Sequence, residues 1–526
     1  MSIAECPRCG YHLATELKEE VSALGAEVRR LEDLIPRLQE EKAVLLRGIN
    51  NAQERTRHLP FEVLSNIFLF ARPPIDFTAH EPRYYHFDDP DYPPLTGHFD
   101  PDEDFHHTLA AVSHRWRQVA LSTPQLWTSI SLHVLNTFTD FNTSLLDLYF
   151  KNARNLPVSV QMDFSNPALL WEKIPPRRSD FLTRLEPLAE FIFDENADKV
   201  QSLSLIRPPA EWFYSTRSNF PHCDSVTIYW SSPEDESNFF HDFEEFTSLH
   251  QVKLSGSGLT FTLPASVSAL QLSQTDLTGC LESLARSPNL IRLDITNAWT
   301  TAFSSALFNV AIKPIVLHRL EILTWSEMVV DVNHDFLRYA RFVNLTTLEW
   351  DEYRTYYHRL VSDEGKRLRL AFFSSLPSTL SSLTFNYLDI DSPSLVNLLY
   401  CIPQLTKLYL TRCPREVVVG AIKAIGRPPA NRVESSLPLN VLPNLCALSI
   451  LDTRSRVLDA LIFIEMLEAL HAAGPRPKQF LLNTNSDVDW PSDALGEVRA
   501  LLLSGIRDRV SQDKRPLQQP LITICD

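Results

Sequence analysis

Cysteine is scarce in this chain: eight in 526 residues, at positions 6, 9, 223, 280, 401, 413, 446 and 525. That spacing is too sparse for a disulfide framework and fits a reducing compartment. Basic residues are also in deficit, with 49 Lys and Arg against 65 Asp and Glu and a formal net charge of −16. Such an acidic surplus repels a phosphate backbone unless a local basic patch overrides it, so no nucleic-acid partner is expected. No segment approaches the roughly 20 uninterrupted apolar residues of a membrane span, so no membrane partner is expected. The opening "MSIAECPRCGYHLATELKEE" has no basic region followed by an apolar run, which argues against secretion and for the cytoplasm or nucleus. P-loop, G-x-G-x-x-G, H-E-x-x-H and G-x-S-x-G strings are absent, and "GSG" at 256 to 258 reads as a turn. No catalytic residue is nominated, no cofactor is expected, and the chain is read as a non-enzyme.

What is present is a chain too long for one ordinary core, hence two to four domains or a long repeat array. A hydrophobic content of 44% excludes wholesale disorder. Over residues 14–55 the apolar positions Val21, Leu24, Val28, Leu31, Ile35, Leu38, Leu45 and Ile49 step by threes and fours. This is a heptad seam with β-branched residues at a and leucine at d, the choice that favours a parallel two-stranded coiled coil. A homodimer through residues 14–55 is therefore one expectation. Pro36 in the helix interior and a like-charge contact between Glu27 and Glu32 of a second copy weigh against it. A helix packed on its own chain is the other expectation. Ahead of it, a tail over 1–13 carries "CPRCG", half of a zinc ribbon. Cys6 and Cys9 give two thiolates where a tetrahedral ion needs four, so a metal site forms only if a dimer supplies both twice. Otherwise the tail is metal-free.

Residues 72–107 hold seven prolines and nine carboxylates against two arginines, a composition expected of a solvated loop, with five histidines that lack metal-site spacing. Beyond about residue 155 a six-residue formula, L-x-x-L-x-L, recurs. It appears as "VQSLSL" at 200, "LHQVKL" at 249, "VSALQL" at 267, "LIRLDI" at 290 and "LEILTW" at 320. It continues as "LTTLEW" at 345, "LSSLTF" at 380, "LTKLYL" at 405 and "LCALSI" at 445. Self-similarity at this period predicts an α/β repeat solenoid of irregular leucine-rich repeats over 196–526, in which neighbouring turns must stack to bury their apolar faces. A doubly wound sheet is the alternative, but it does not call for the same formula so often. Residues 134–195 are a connecting region or the first irregular repeats. The concave face of such a solenoid is lined by the x positions, so Arg292, Asp294, Thr347, Glu349, Lys407 and Tyr409 are candidate residues for binding a protein substrate.

Between heptads and repeats lie two further helical patterns. In "HLPFEVLSNIFLFA", Phe61, Leu64, Ile67, Phe68 and Ala71 follow Pro60 at helical spacing. In "LAAVSHRWRQVALSTPQLW", Leu109, Val112, Trp116, Val119 and Ala120 share a stripe rimmed by Arg115 and Arg117, and Leu126 and Trp127 form an apolar hook. These stretches resemble the F-box, whose form is L-P-x-E-[IL]-L-x-x-I, then V-[SC]-x-x-W-[RK]-x-[LIV]-[AS], then L-W. Here "LPFEVLSNIF", "VSHRWRQVA" and "PQLW" supply the three parts in order, about 40 residues of the chain. Unlike the usual motif, a 36-residue acidic insertion at 72–107 separates the first two. The whole resembles the large F-box-like family of mushroom-forming fungi.

The resemblance implies a small all-α F-box-like domain over 58–133, after an N-terminal coiled-coil helix and before the solenoid. It implies a substrate receptor of a Skp-cullin-F-box ubiquitin ligase, with a Skp-type adaptor, and through it a cullin, as partners. Adaptor contact or its support is carried to Leu59, Pro60, Val63, Leu64, Ile67, Phe68, Val112, Trp116, Val119 and Trp127, each of which could instead be internal core. The rival function is a non-catalytic interaction scaffold using coiled coil and leucine-rich repeats, with a degenerate F-box.

Overall fold

In a computed structural model of the chain, the residues described are 13–53, 55–73, 77, 105–134, 139–164, 183–209, 212, 220–229, 239–256, 259–275, 277–297, 314–326, 334–352, 363–388, 390–426, 441–451, 458–472, 480–484 and 488–489. The chain divides into two units. One comprises Met1–Asp76, Tyr85–Ser131 and Ser144–Val158; the other comprises Phe77–Tyr84, Leu132–Thr143 and Ser159–Asp526.

The first unit is largely helical. Its longest element, α1 (Leu13–Gln53), runs 41 residues and passes through Pro36 without a break. Helices α2 (Phe61–Ala71), α3 (Phe105–Val112) and α4 (His114–Ser122) follow, then a single 3-10 turn at Pro124–Trp127. Helix α5 (Thr139–Ala153) contributes its Ser144–Ala153 part. Leu64, Phe68, Leu109, Val119, Leu126, Trp127, Leu146 and Phe150 form the buried core, at spacings of three and four along each helix. The stretch "LAAVSHRWRQVALS", read as one helix, is two. Ser113 adopts an extended backbone, and its hydroxyl accepts the Trp116 amide at 3.1 Å, which is N-cap geometry.

With Ser129–Ser131 of the first strand and Val158 of the second counted in the first unit, the second unit is organised by a sheet whose thirteen strands follow one another in chain order. They are β1 (Ser129–His133), β2 (Val158–Asp163), β3 (Val200–Ile206), β4 (Ser225–Tyr229), β6 (Gln251–Ser255), β8 (Ala269–Ser273), β9 (Arg292–Thr296), β11 (Ile322–Ser326), β13 (Thr347–Asp351), β14 (Ser382–Asn386), β15 (Lys407–Thr411), β16 (Ala447–Leu451) and β18 (Leu481–Thr484). Short parallel pairs accompany it: β5 (Phe239–Asp242) with β7 (Leu259–Thr262), β10 (Ile315–Leu317) with β12 (Ala340–Phe342), and β17 (Leu458–Asp459) with β19 (Val488–Asp489). From β3 to β18 every pairing is parallel and in register, so Leu293, Leu323, Leu348, Leu383, Leu408 and Leu448 line one buried row. The next buried row is Ile295, Trp325, Trp350, Phe385, Leu410 and Ile450, in which the indoles of Trp325 and Trp350 stack at 5.5 Å.

Both ends of the strands are fixed by recurring hydrogen bonds. At the entry, the hydroxyls of Thr346, Ser381 and Thr406 donate to the carbonyls of Glu321, Thr346 and Ser381 at 3.0, 3.2 and 2.9 Å. At the exit, Arg207, Gln274, Asn297, Tyr387 and Arg412 each turn into the left-handed region with φ between 52° and 54°. Their amides donate to the last residue of the next strand, for instance Tyr387 to Thr411 at 3.0 Å and Arg412 to Leu451 at 2.8 Å. A side chain resists this conformation by steric contact with its own backbone, and the inter-strand hydrogen bond offsets that cost.

The expected fold class, a small all-α F-box followed by a separate irregular leucine-rich-repeat solenoid, is corrected by this topology. The sheet begins at Ser129, inside the segment expected to be all-α, and β2 lies in 134–195, expected to be a connecting region or the first irregular repeats. Strands β1 "SISLH" and β2 "VSVQMD" lack the L-x-x-L-x-L formula; β1 alternates in burial, whereas β2 is buried at four of its six positions. The result is a mixed α/β arrangement built on one continuous parallel sheet. A doubly wound sheet is not seen either, because the strand order never reverses.

Candidate binding face

In β9, β11, β13, β14 and β15 the buried positions alternate with half-exposed or exposed ones. Because the strands are in register, those outward positions form columns across the sheet. One column runs Gln251, Ala269, Arg292, Ile322, Thr347, Ser382, Lys407, Ala447. The neighbouring column runs Lys253, Gln271, Asp294, Thr324, Glu349, Thr384, Tyr409, Ser449. All six residues expected to contact a protein, Arg292, Asp294, Thr347, Glu349, Lys407 and Tyr409, fall in these two columns. They span five adjacent strands, roughly 19 Å at the usual strand spacing. Thr324 and Thr384 belong to the same surface but were not singled out from sequence, whereas Ser449 at the end of the column is buried. Their signal was available, since each occupies the same x position of its own six-residue unit.

Charge on this face is mixed and locally paired. Arg292 Nε donates to Asp294 Oδ2 at 2.8 Å. That hydrogen bond and the Asp294 charge raise the Arg292 guanidinium above its ordinary value, with Glu349 adding a weaker effect of the same sign. Glu349 Oε1 accepts from Asn386 Nδ2 at 3.1 Å across β13 and β14. Among the described residues, Asp294 Oδ1 and Thr296 Oγ1, both buried in β9, have no hydrogen-bond partner. The rim of the face at the strand exits carries Tyr387 with the Arg412 guanidinium 5.2 Å over its ring.

On the opposite side of the sheet, ionisable groups are structural. Arg369, on the helix Asp363–Ser374, pairs with Glu352 at 2.7 Å, both buried, and Trp350 Nε1 donates to Glu352 Oε1 at 2.9 Å. Burial pushes the Cys223 thiol up to about 12, so it stays protonated at neutral pH and is unsuited to nucleophilic work. Cys280 and Cys413 are likewise buried.

The ten residues expected to meet an adaptor separate into three groups. Leu64, Phe68, Val119 and Trp127 are buried core of the helical unit. Trp127 Nε1 donates to the Ala120 carbonyl at 2.8 Å, and its ring packs against His106 and Tyr149 at 4.9 and 5.0 Å. Trp116 is half-buried, with its indole N–H donating to Thr56 at 2.7 Å and its ring 4.8 Å from Phe68. Leu59 and Val112 are also half-buried, whereas Pro60, Val63 and Ile67 are exposed. Phe70, not singled out from sequence, is the most exposed apolar side chain described, at 91%. Phe61, Arg115, Gln118, Val119, Leu121 and Ser122 line an open groove of about 570 Å³. The basic "SHRWR" cluster is occupied within the fold. The Arg115 guanidinium bonds the Leu59 carbonyl, and Arg117 Nε donates to the Ala110 carbonyl at 3.0 Å.

Two expectations about the acidic insertion change at its ends. Arg72 donates to the carbonyls of Gln125 and Ser129 at 3.1 and 2.9 Å, and His106 is buried, not solvated. His106 Nε2 lies 2.6 Å from the Leu126 carbonyl, and Nδ1 lies 2.9 Å from Tyr149 Oη. Because a carbonyl can only accept, Nε2 carries a hydrogen and donates to it. The greater part of 72–107, together with Cys6 and Cys9, lies outside the described residues. No group of metal-ligating side chains occurs among the described residues, and no described helix is long and apolar enough to cross a membrane.

No protein-family model and no curated protein matches this chain. The F-box-like resemblance is corrected accordingly: its three short signatures carry no family match, and the segment bearing them leads directly into β1 of the sheet. With it fall the role of ubiquitin-ligase substrate receptor and the rival scaffold of leucine-rich repeats with a degenerate F-box, because both require that architecture.

Proposed function

We propose that this chain is a non-enzymatic binding protein that recognises a polypeptide on the polar face of its parallel sheet. The observation that carries the proposal is the alignment of two outward columns of hydroxyl, amide and mixed-charge side chains across consecutive in-register strands. A surface built this way extends across several consecutive strands and carries both donors and acceptors, which suits a protein ligand better than an enclosed small molecule. Lys253, Arg292 and Lys407 stand among Asp294 and Glu349, so the face has no single-sign field of the kind a nucleic-acid backbone requires. Tyr409 supplies the large amphipathic anchor on which such interfaces concentrate their energy.

The test is selection of peptide binders from a random displayed library against the intact chain, followed by affinity measurement on variants. Tyr409→Ala is expected to weaken selected binders by about 2 kcal/mol, the scale of an interface anchor. Asp294→Lys is expected to weaken them further, while Glu416→Lys, on the helix Arg415–Gly426, leaves them unchanged. Binders that are indifferent to both face substitutions would overturn the proposal.

A further inference from the structure

We propose that α1 is one strand of a parallel, in-register coiled coil with α1 of a second copy of this chain. Along it the seam residues Val21, Leu24, Val28, Leu31, Ile35, Leu38, Leu45 and Ile49 are between 45% and 68% exposed. A long helix in water owes most of its stability to packing of its apolar face, and this face is unpacked. Its cover must match its length. At 1.5 Å per residue α1 extends roughly 60 Å, whereas the next longest helix described has 15 residues. Among the described residues, only a second α1 offers a seam of that length and spacing.

Three details fit a parallel pair. With Val21, Val28 and Ile35 at a and Leu24, Leu31 and Leu38 at d, Pro36 falls at b, on the outward side. The helix already runs through it, so the proline does not interrupt the seam. Like charges meet between copies at Glu27 (g) against Glu32 (e), and where Lys42 at a faces its own counterpart. Arg30 of the same helix holds Glu27 by two hydrogen bonds of 2.9 and 2.7 Å, which offsets its charge locally and holds its carboxyl below the ordinary value. The other g–e pairings along α1, such as Glu20 with Gly25, Leu34 with Gln39 and Glu41 with Leu46, set no like charges together. Lys42 occupies an a position, exposed in the single helix. A lone lysine there opposes higher-order bundles and displaced registers, in which it would be more deeply buried.

Sedimentation velocity of the full chain at micromolar concentration is expected to give twice the 60.1 kDa chain mass. Leu31→Asp with Leu38→Asp is expected to give the single-chain mass with an unchanged near-ultraviolet spectrum and melting of the sheet. Glu32→Lys reports direction and register, because only parallel in-register pairing sets position 32 against Glu27. That variant is expected to tighten the dimer several-fold at low salt, and less so at high salt. A wild-type chain that sediments as a monomer overturns the proposal, as does a dimer that Glu32→Lys leaves unchanged or weakens.

Discussion

Val63 and Leu64 are adjacent on α2, yet one is 43% exposed and the other fully buried. Leu64 lies in the core of the helical unit, so Leu64→Ala is expected to cost about 2–5 kcal/mol, and Trp127→Ala about 3–5 kcal/mol. Val63→Ser and Phe70→Ser should instead stay within about 0.5 kcal/mol of the wild type, as exposed substitutions do. Chemical denaturation of the four variants checks this, and a large loss in Phe70→Ser would mean that its ring is covered in the folded chain. At this scale the sequence was informative about stripes and silent about cover. Helical spacing groups Phe61, Leu64, Ile67 and Phe68, but which edge is buried depends on α4 and the Pro124–Trp127 turn, beyond a long insertion. Spacing also gave no warning that Ser113 divides α3 from α4, because a serine in a helical pattern is tolerated until its hydroxyl finds an amide to cap. His106 was hidden for a similar reason, since acidic, proline-rich neighbours masked a side chain whose partners, Leu126 and Tyr149, are distant in sequence.

Each of the nine six-residue units holds a strand, since period-two leucines are a local signal that needs no partner to be read. The strands without the formula, β1, β2, β4 and β18, were not legible, and neither was the continuity of the sheet across the expected domain boundaries. Pairing is a non-local property that no window of sequence contains. The same holds for the bond between the helix Asp363–Ser374 and the sheet, where Arg369 and Glu352 meet from opposite elements. Removing one partner leaves a buried charge, so Arg369→Met is expected to destabilise the chain by about 3–5 kcal/mol. Replacing both, in Arg369→Met with Glu352→Met, should recover most of that loss, because the desolvation cost of the pair disappears with it. Thermal unfolding of the two single variants and the double variant measures the coupling. A double variant as unstable as the sum of the singles would show that Trp350, left without its acceptor, dominates the site.

At the scale of the whole molecule, the two proposals combine into a statement about avidity. If α1 joins two copies and each copy carries one polar sheet face, every dimer presents that face twice. A second binding event on a surface dense in ligand is then intramolecular, and apparent affinity can rise by about 10²–10⁴-fold without any new contact. The gain is confined to multivalent surfaces: a soluble monomeric peptide meets one face at a time and cannot distinguish dimer from monomer. Wild type and the Leu31→Asp, Leu38→Asp variant are therefore expected to bind a soluble selected peptide with equal affinity, while on a densely coated sensor surface the wild type dissociates far more slowly. Diluting the coated peptide should bring the two chains together, because the second face then finds no ligand within reach. Equal dissociation at every coating density would separate the proposals, leaving the binding face intact and removing the bivalent use of it.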